Sequence, residues 1–233
     1  RKAAIFLFYS FFLVILGRNL TFIPQIKINS TPEGKSPEEI RKEVLLFLKT
    51  TEGEYSIYFK DLKTSETFGI NENAVMTGAS MNKLPIIGYL YNLASKNKIE
   101  LQDKIVLQEE DIQDYGTGTL RYQKPGEPYT LQYLAKVTLG LSDNTAAHIL
   151  TIKLGEENIQ YFANTIGMIA TSMKDNDISS RDVGKFYDLL YSNKITSKAL
   201  TKELLGYMEN TDFEDRIPKY LPKSVRKYHK TGD

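Results

Sequence analysis

The sequence predicts an α+β or α/β domain with an antiparallel sheet, in which a large helical insertion separates two strands from a returning one. Three observations predict it. An amphipathic pattern over residues 37–50 is followed by two short β-prone runs, residues 131–209 read almost entirely as helix, and Val225 to Thr231 is again β-prone.

Each element has a local cause. Ser36-Pro37-Glu38-Glu39 supplies an N-cap, a proline at the first helical position and early acids, and Ile40, Val44, Leu45 and Leu48 follow at helical spacing. Tyr55 to Asp61 and Glu66 to Ile70 flank Asp61-Leu62-Lys63-Thr64 as an antiparallel hairpin would. After Ser80 the chain turns helical to about Ala94, with Pro85 tolerated if the helix starts just before it. Helix-like segments follow at 131–139, 144–154, 156–166, 180–192 and 197–209, and the last β-prone run closes the pattern.

The composition narrows the function classes. With 41% hydrophobic and 25% charged residues the 233-residue chain is neither disordered nor low in complexity. The absence of Cys excludes disulfides, thiol catalysis and thiolate metal sites, and two His cannot build a histidine-rich cluster. Residues 1–35 hold five Lys/Arg against one Glu, whereas the rest holds 25 against 28, so the basic excess lies outside the folded part. A nucleic-acid partner is therefore not expected.

Ala3 to Gly17 is an uncharged run between Arg1-Lys2 and Arg18, which Leu20, Phe22 and Ile23 extend if Arg18 snorkels. With Phe clustered over 6–12, no small-residue cleavage site after it and no Cys for lipidation, residues 1–23 are expected to be an uncleaved single-pass signal anchor. Residues 24–36 then form a polar linker, and the domain at 37–233 is expected outside the cytoplasmic membrane, or secreted if the segment is cleaved. The chain opens on Arg1 and stops at Asp233, so it is expected to be a fragment.

HExxH, GxxxxGK[ST] and GxGxxG are all absent, since Gly116-Thr117-Gly118 lacks the third glycine and a preceding strand. Serine nucleophiles remain. In Ser80-Met81-Asn82-Lys83 the lysine stands one helical turn from the serine, on the same face and within reach of its proton. At a helix N-terminus the macrodipole disfavours the ammonium and helps keep an amine available. The same spacing recurs at Ser95/Lys98 and Ser224/Lys227, and an N-capping serine with a solvated lysine would look alike. Two further tripeptides distinguish Ser80: Ser142-Asp143-Asn144 opens a helix and Lys230-Thr231-Gly232 ends the last β-prone run.

With these three motifs in this order, the chain resembles the active-site serine penicillin-recognising enzymes, and among them the class A β-lactamases and their serine-hydrolase relatives. The likeness runs from the helix at 37 to the chain end and includes Leu141 to Ile149 and Phe213 to Leu221. It implies a β-lactamase/transpeptidase-like fold, an α/β sandwich whose antiparallel sheet is flanked by terminal helices and carries a large all-helical subdomain, with Ser80 as acylating nucleophile, Lys83 as a candidate for its base and Ser142 as proton relay to the leaving nitrogen. It further implies Asn144 on the substrate amide, Lys230 and Thr231 on its carboxylate, Gly232 for close backbone approach, and an oxyanion hole from the N–H groups of Ser80 and Asp233. Tyr115 falls near the position of an aromatic at the cleft mouth, or is one of fifteen tyrosines on ordinary surface. The implied substrate is a β-lactam or a D-Ala-terminated peptide, bound by a monomer without cofactor or metal.

The resemblance also has gaps. No Glu lies in residues 158–202, where class A enzymes carry the glutamate that activates the deacylating water, and His148 either replaces an Asn that braces the same loop or is simply a partly buried helix residue. Asp175 and Asp177 are the acids left there, either as substitute bases or as solvated loop residues. His229, next to Lys230 on an extended run, is expected to face the other way and serve structure. Slow deacylation is therefore expected, and a D-Ala-D-Ala carboxypeptidase or a non-hydrolytic penicillin-binding or cell-wall-binding protein shares the motifs. In the resembling family two strands and a terminal helix follow the third motif; lacking them, the chain as given is expected to be poorly stable and inactive.

Overall fold

The structure is a computed structural model that describes residues 34–209 and 211–232. The anchor at 1–23, most of the linker and the oxyanion donor Asp233 lie outside the described residues. Among those described, no helix is long and apolar enough to cross a membrane.

Helix α1 (Pro37–Leu48) starts where the sequence places it, because Ser36 and Glu39 close a reciprocal capping box. It buries no residue fully and leaves Leu46 and Phe47 exposed. The hairpin forms from β1 (Ile57–Lys60) and β2 (Thr67–Ile70), antiparallel with Ile57 opposite Ile70 and Lys60 opposite Thr67. Asp61 fixes its turn by accepting the N–H groups of Lys63 and Thr64, at 2.7 and 3.0 Å, and Phe59 stacks on Phe68 across the strands.

The helical part follows the sequence to within two residues at either end of each helix. It comprises α2 (Lys83–Ser95), α3 (Leu131–Gly140), α4 (Asn144–Leu154), α5 (Glu156–Thr165), α6 (Ser180–Tyr191) and α7 (Lys198–Tyr207). Side-chain oxygens of Thr130, Asp143, Ser179 and Ser197 cap α3, α4, α6 and α7. Helix α2 runs through the middle, burying Leu84, Ile86, Ile87, Leu90 and Tyr91. At Gly88 an added Cβ would meet Phe186 and Phe162, so the absent side chain is what lets α5 and α6 approach. Each large apolar side chain so buried contributes about 1.5–3 kcal/mol.

Two small antiparallel pairs escape sequence reading: β3 (Met76–Thr77) with β6 (Asp177–Ile178), and β4 (Lys104–Val106) with β5 (Pro128–Thr130). Strands of two or three residues carry no periodicity to detect. A correction concerns the returning strand. Residues 226–232 join no ladder, and a backbone hydrogen bond runs from His229 N–H to the Met208 carbonyl at 3.0 Å. A run becomes a strand only where a neighbouring strand lies alongside to exchange N–H and C=O groups with it, and among the described residues none pairs with 226–232. The sheet is thus present, among the described residues, as three separate two-stranded pieces.

Candidate active site

Ser80 lies in a 3-10 turn, Ala79–Asn82, that leads directly into α2, and Lys83 is the first residue of that helix. The turn is entered through Ala79 at φ +44, a left-handed conformation that costs a non-glycine residue of order 1–3 kcal/mol. Ser80 N–H belongs to the first turn of a helix start, where intrahelical acceptors are lacking. The geometry leaves Lys83 Nζ 2.9 Å from Ser80 Oγ.

Lys83 also donates to the Ser142 carbonyl and to Asn144 Oδ1, both at 2.6 Å, and to Ser142 Oγ at 3.1 Å. It is a buried lysine, 7% exposed. Burial pushes its ammonium down to about 8, against the pull of the nearby Asp143 carboxylate, which favours the charged form. An amine with a pKa near 8 is available to take a proton at neutral pH, as one near 10.5 is not.

The turn carrying Ser142 is held from beneath. Asp143, 1% exposed, caps α4 through Oδ1 on Ala146 N–H and accepts Thr119 and Leu120 N–H on Oδ2 at 2.6 and 2.9 Å. Ser142 adopts φ +54, and its carbonyl also accepts from Thr117 Oγ1 at 2.8 Å. Asn144 Nδ2 donates to the Tyr115 carbonyl at 3.1 Å. Gly116 and Gly118 permit this closeness, since a Cβ on the first would meet the Asn144 amide and on the second the Asp143 carboxylate. Sequence reading set Gly116-Thr117-Gly118 aside as an incomplete dinucleotide motif. The signal it carried was two glycines that let one backbone segment lie against another.

The last segment reaches the same place. Lys230, 8% exposed, donates to Ser142 Oγ at 2.8 Å and to the Thr231 carbonyl at 2.7 Å. Gly232 lies against the turn before Ser80, where a Cβ would stand 3.0 Å from the Gly78 carbonyl. His229 faces away from Lys230: its Nε2 is 2.8 Å from Glu214 Oε1 and holds the Glu214 carboxyl below the usual range. That contact fixes the 211–214 turn, whose Phe213 ring lies under Lys230 Nζ.

A cavity of about 410 Å³ opens above these groups. Ser80, Lys83, Ser142, Asn144, Tyr115 and Thr231 line it, as do Asn82, Gln113, His148, Asn176 and Phe213, which the sequence reading did not place there. Tyr115 is 64% exposed at its edge. Among the described residues no carboxylate lines the cavity. Asp175 is exposed and bonded to Ser172 Oγ, and Asp177 sits in β6 opposite Thr77, so neither acid considered as a substitute base is part of the wall. The 168–178 loop is tied back by Asp182, which accepts Ala170 N–H and Thr171 Oγ1. Asn82 Nδ2 anchors the same loop to the Ser80 turn through Asn176 Oδ1 at 2.6 Å.

Known proteins share both sequence and fold. A curated relative, "Beta-lactamase BRO-1" of Moraxella catarrhalis, is 26% identical over 162 residues, 63% of this chain. The chain spans about half, 52%, of that relative's length. A structure of PBP-A, a point mutant solved as an acyl-enzyme complex with penicillin-G, superposes with a TM-score of 0.77 at 25% identity over 84% of this chain and 78% of that one. A beta-lactamase from Sphaerobacter thermophilus superposes at 0.76, with 23% identity over 82% and 77% of the two chains, and shares the fold. Residues 37–233 match the profile described as the beta-lactamase enzyme family, and the chain belongs to that family.

Proposed function

We propose that this protein is a serine hydrolase that opens β-lactams by forming an acyl-enzyme on Ser80 and releases the product slowly. The observation that carries the reading is the Lys83 amine, lowered to about 8 and 2.9 Å from Ser80 Oγ in a cavity shared with Ser142 and Asn144. In the reaction Lys83 takes the Ser80 proton as Oγ attacks the lactam carbonyl. The proton passes by way of Ser142, which both Lys83 and Lys230 contact, to the nitrogen as the C–N bond breaks. Ser80 N–H stabilises the oxyanion, an effect worth about 3–4 kcal/mol per donor. Asn144 orients the substrate amide, and Lys230 with Thr231 receives its carboxylate.

The absence of a carboxylate from the described cavity wall supports slow release, and it equally favours a second reading, a D-Ala-D-Ala carboxypeptidase acting outside the membrane to which residues 1–23 tether it. Following a chromogenic cephalosporin through many turnovers separates the two. The first reading expects a burst of one equivalent and then slow steady hydrolysis, with both lost in Ser80→Ala. A burst with no later turnover, together with D-Ala release from a peptide ending in D-Ala-D-Ala, would replace it by the second.

A further inference from the structure

We propose that His148 is the base that activates the water for deacylation, with Asn176 holding that water. The inference rests on the acyl-enzyme reading above and asks what in this cavity can remove the acyl group. Among the described lining residues the side chains with a nitrogen that can act as a base are Lys83 and His148. Lys83, set among Ser80, Ser142 and Asn144, is the base already assigned to acylation. His148 is half-buried on the wall and makes no hydrogen bond among the described residues, so its ring nitrogens are available.

Its position in the helix places it beside Asn144 on the wall of the cavity that Ser80 also lines. His148 stands one turn after Asn144 in α4, on the same face, which places the two Cβ atoms about 5–6 Å apart. Asn144 Oδ1 is 2.6 Å from Lys83 Nζ, itself 2.9 Å from Ser80 Oγ. Asn176 lines the same cavity; its amide is oriented by Asn82, which donates to its Oδ1 at 2.6 Å, and its Nδ2 makes no hydrogen bond among the described residues. Asn176 is held at φ +55, a fixed turn position. A water placed between the two accepts from Asn176 Nδ2 and donates to the imidazole.

The step balances without another reactant. As the water oxygen bonds to the ester carbonyl carbon, one of its protons moves to the free nitrogen of His148. The tetrahedral intermediate collapses, the bond from carbon to Ser80 Oγ breaks, and the proton held on His148 returns to Oγ. The product leaves as a carboxylic acid and the site is restored.

The test measures acylation and deacylation separately on the full chain, by stopped-flow labelling with a fluorescent penicillin and by loss of the label after removal of free ligand. His148→Asn and His148→Gln are expected to lower the deacylation rate about 100-fold, far more than the acylation rate, and Asn176→Ala to lower it in the same sense. Added imidazole is expected to restore deacylation in His148→Gly, which a merely structural role would not allow. Deacylation at the parental rate in labelled His148 variants, or a slowed His148→Gly that imidazole does not rescue, would overturn the proposal while leaving Ser80 acylation standing. Failure of the parent to label at Ser80 would remove the acyl-enzyme reading and this inference together.

Discussion

At the scale of single residues the proposed chemistry turns on the protonation of Lys83. Burial lowers its pKa to about 8, so below that value the neutral amine falls tenfold per pH unit. Acylation by a β-lactam should therefore accelerate by about 50-fold between pH 6 and 8 and level off above, as stopped-flow labelling over that range would show. A flat profile would mean that the amine is not the base. Lys83→Arg, which cannot give up its proton, should lower the rate by about 10² to 10⁴. The sequence revealed that Ser80 and Lys83 share a helix face, because the spacing is local. It could not reveal the lowered pKa, since burial is a property of the folded chain, in which the groups that Lys83 touches, Ser142 and Asn144, lie some sixty positions away in sequence.

At the scale of elements the site depends on how two turns are clamped. Asp143 is the clamp: it caps α4 and holds the 116–120 segment through two backbone N–H groups. Asp143→Ala leaves the Leu120 and Ala146 N–H groups buried and unpaired and should cost about 2 kcal/mol or more, read as a lower urea midpoint. Asp143→Asn keeps the shape but removes the charge that favours the Lys83 ammonium, so it should shift the acylation profile to lower pH, below the parental value of about 8. Gly118→Ala, at φ +113 and with its Cβ directed into Asp143, should destabilise in the same assay. The helices were legible because caps and apolar spacing are written in the sequence. The short strand pairs and the clamp were not, as each joins segments well apart in the chain with too few residues to leave a pattern.

At the scale of the whole molecule three distant segments converge on one cavity: the turn before α2, the turn before α4 and the extended run ending at Gly232. The order and spacing of the three motifs made the convergence readable. The state of the last run was not, because β propensity in 225–231 says nothing of whether a neighbouring strand is there to pair with it. Gly232 is the joint between that run and the Ser80 turn. Gly232→Val should push them apart and lower the second-order acylation constant at least about tenfold through loss of the carboxylate contact, with little change in stability. The claim that joins all three scales is that Ser80 becomes covalently acylated. Intact-protein mass spectrometry after brief exposure to penicillin G tests it directly. A mass increase of one penicillin per chain is expected, located by peptide mapping to the segment containing Ser80 and absent in Ser80→Ala; no adduct, or an adduct that persists in Ser80→Ala, would contradict it.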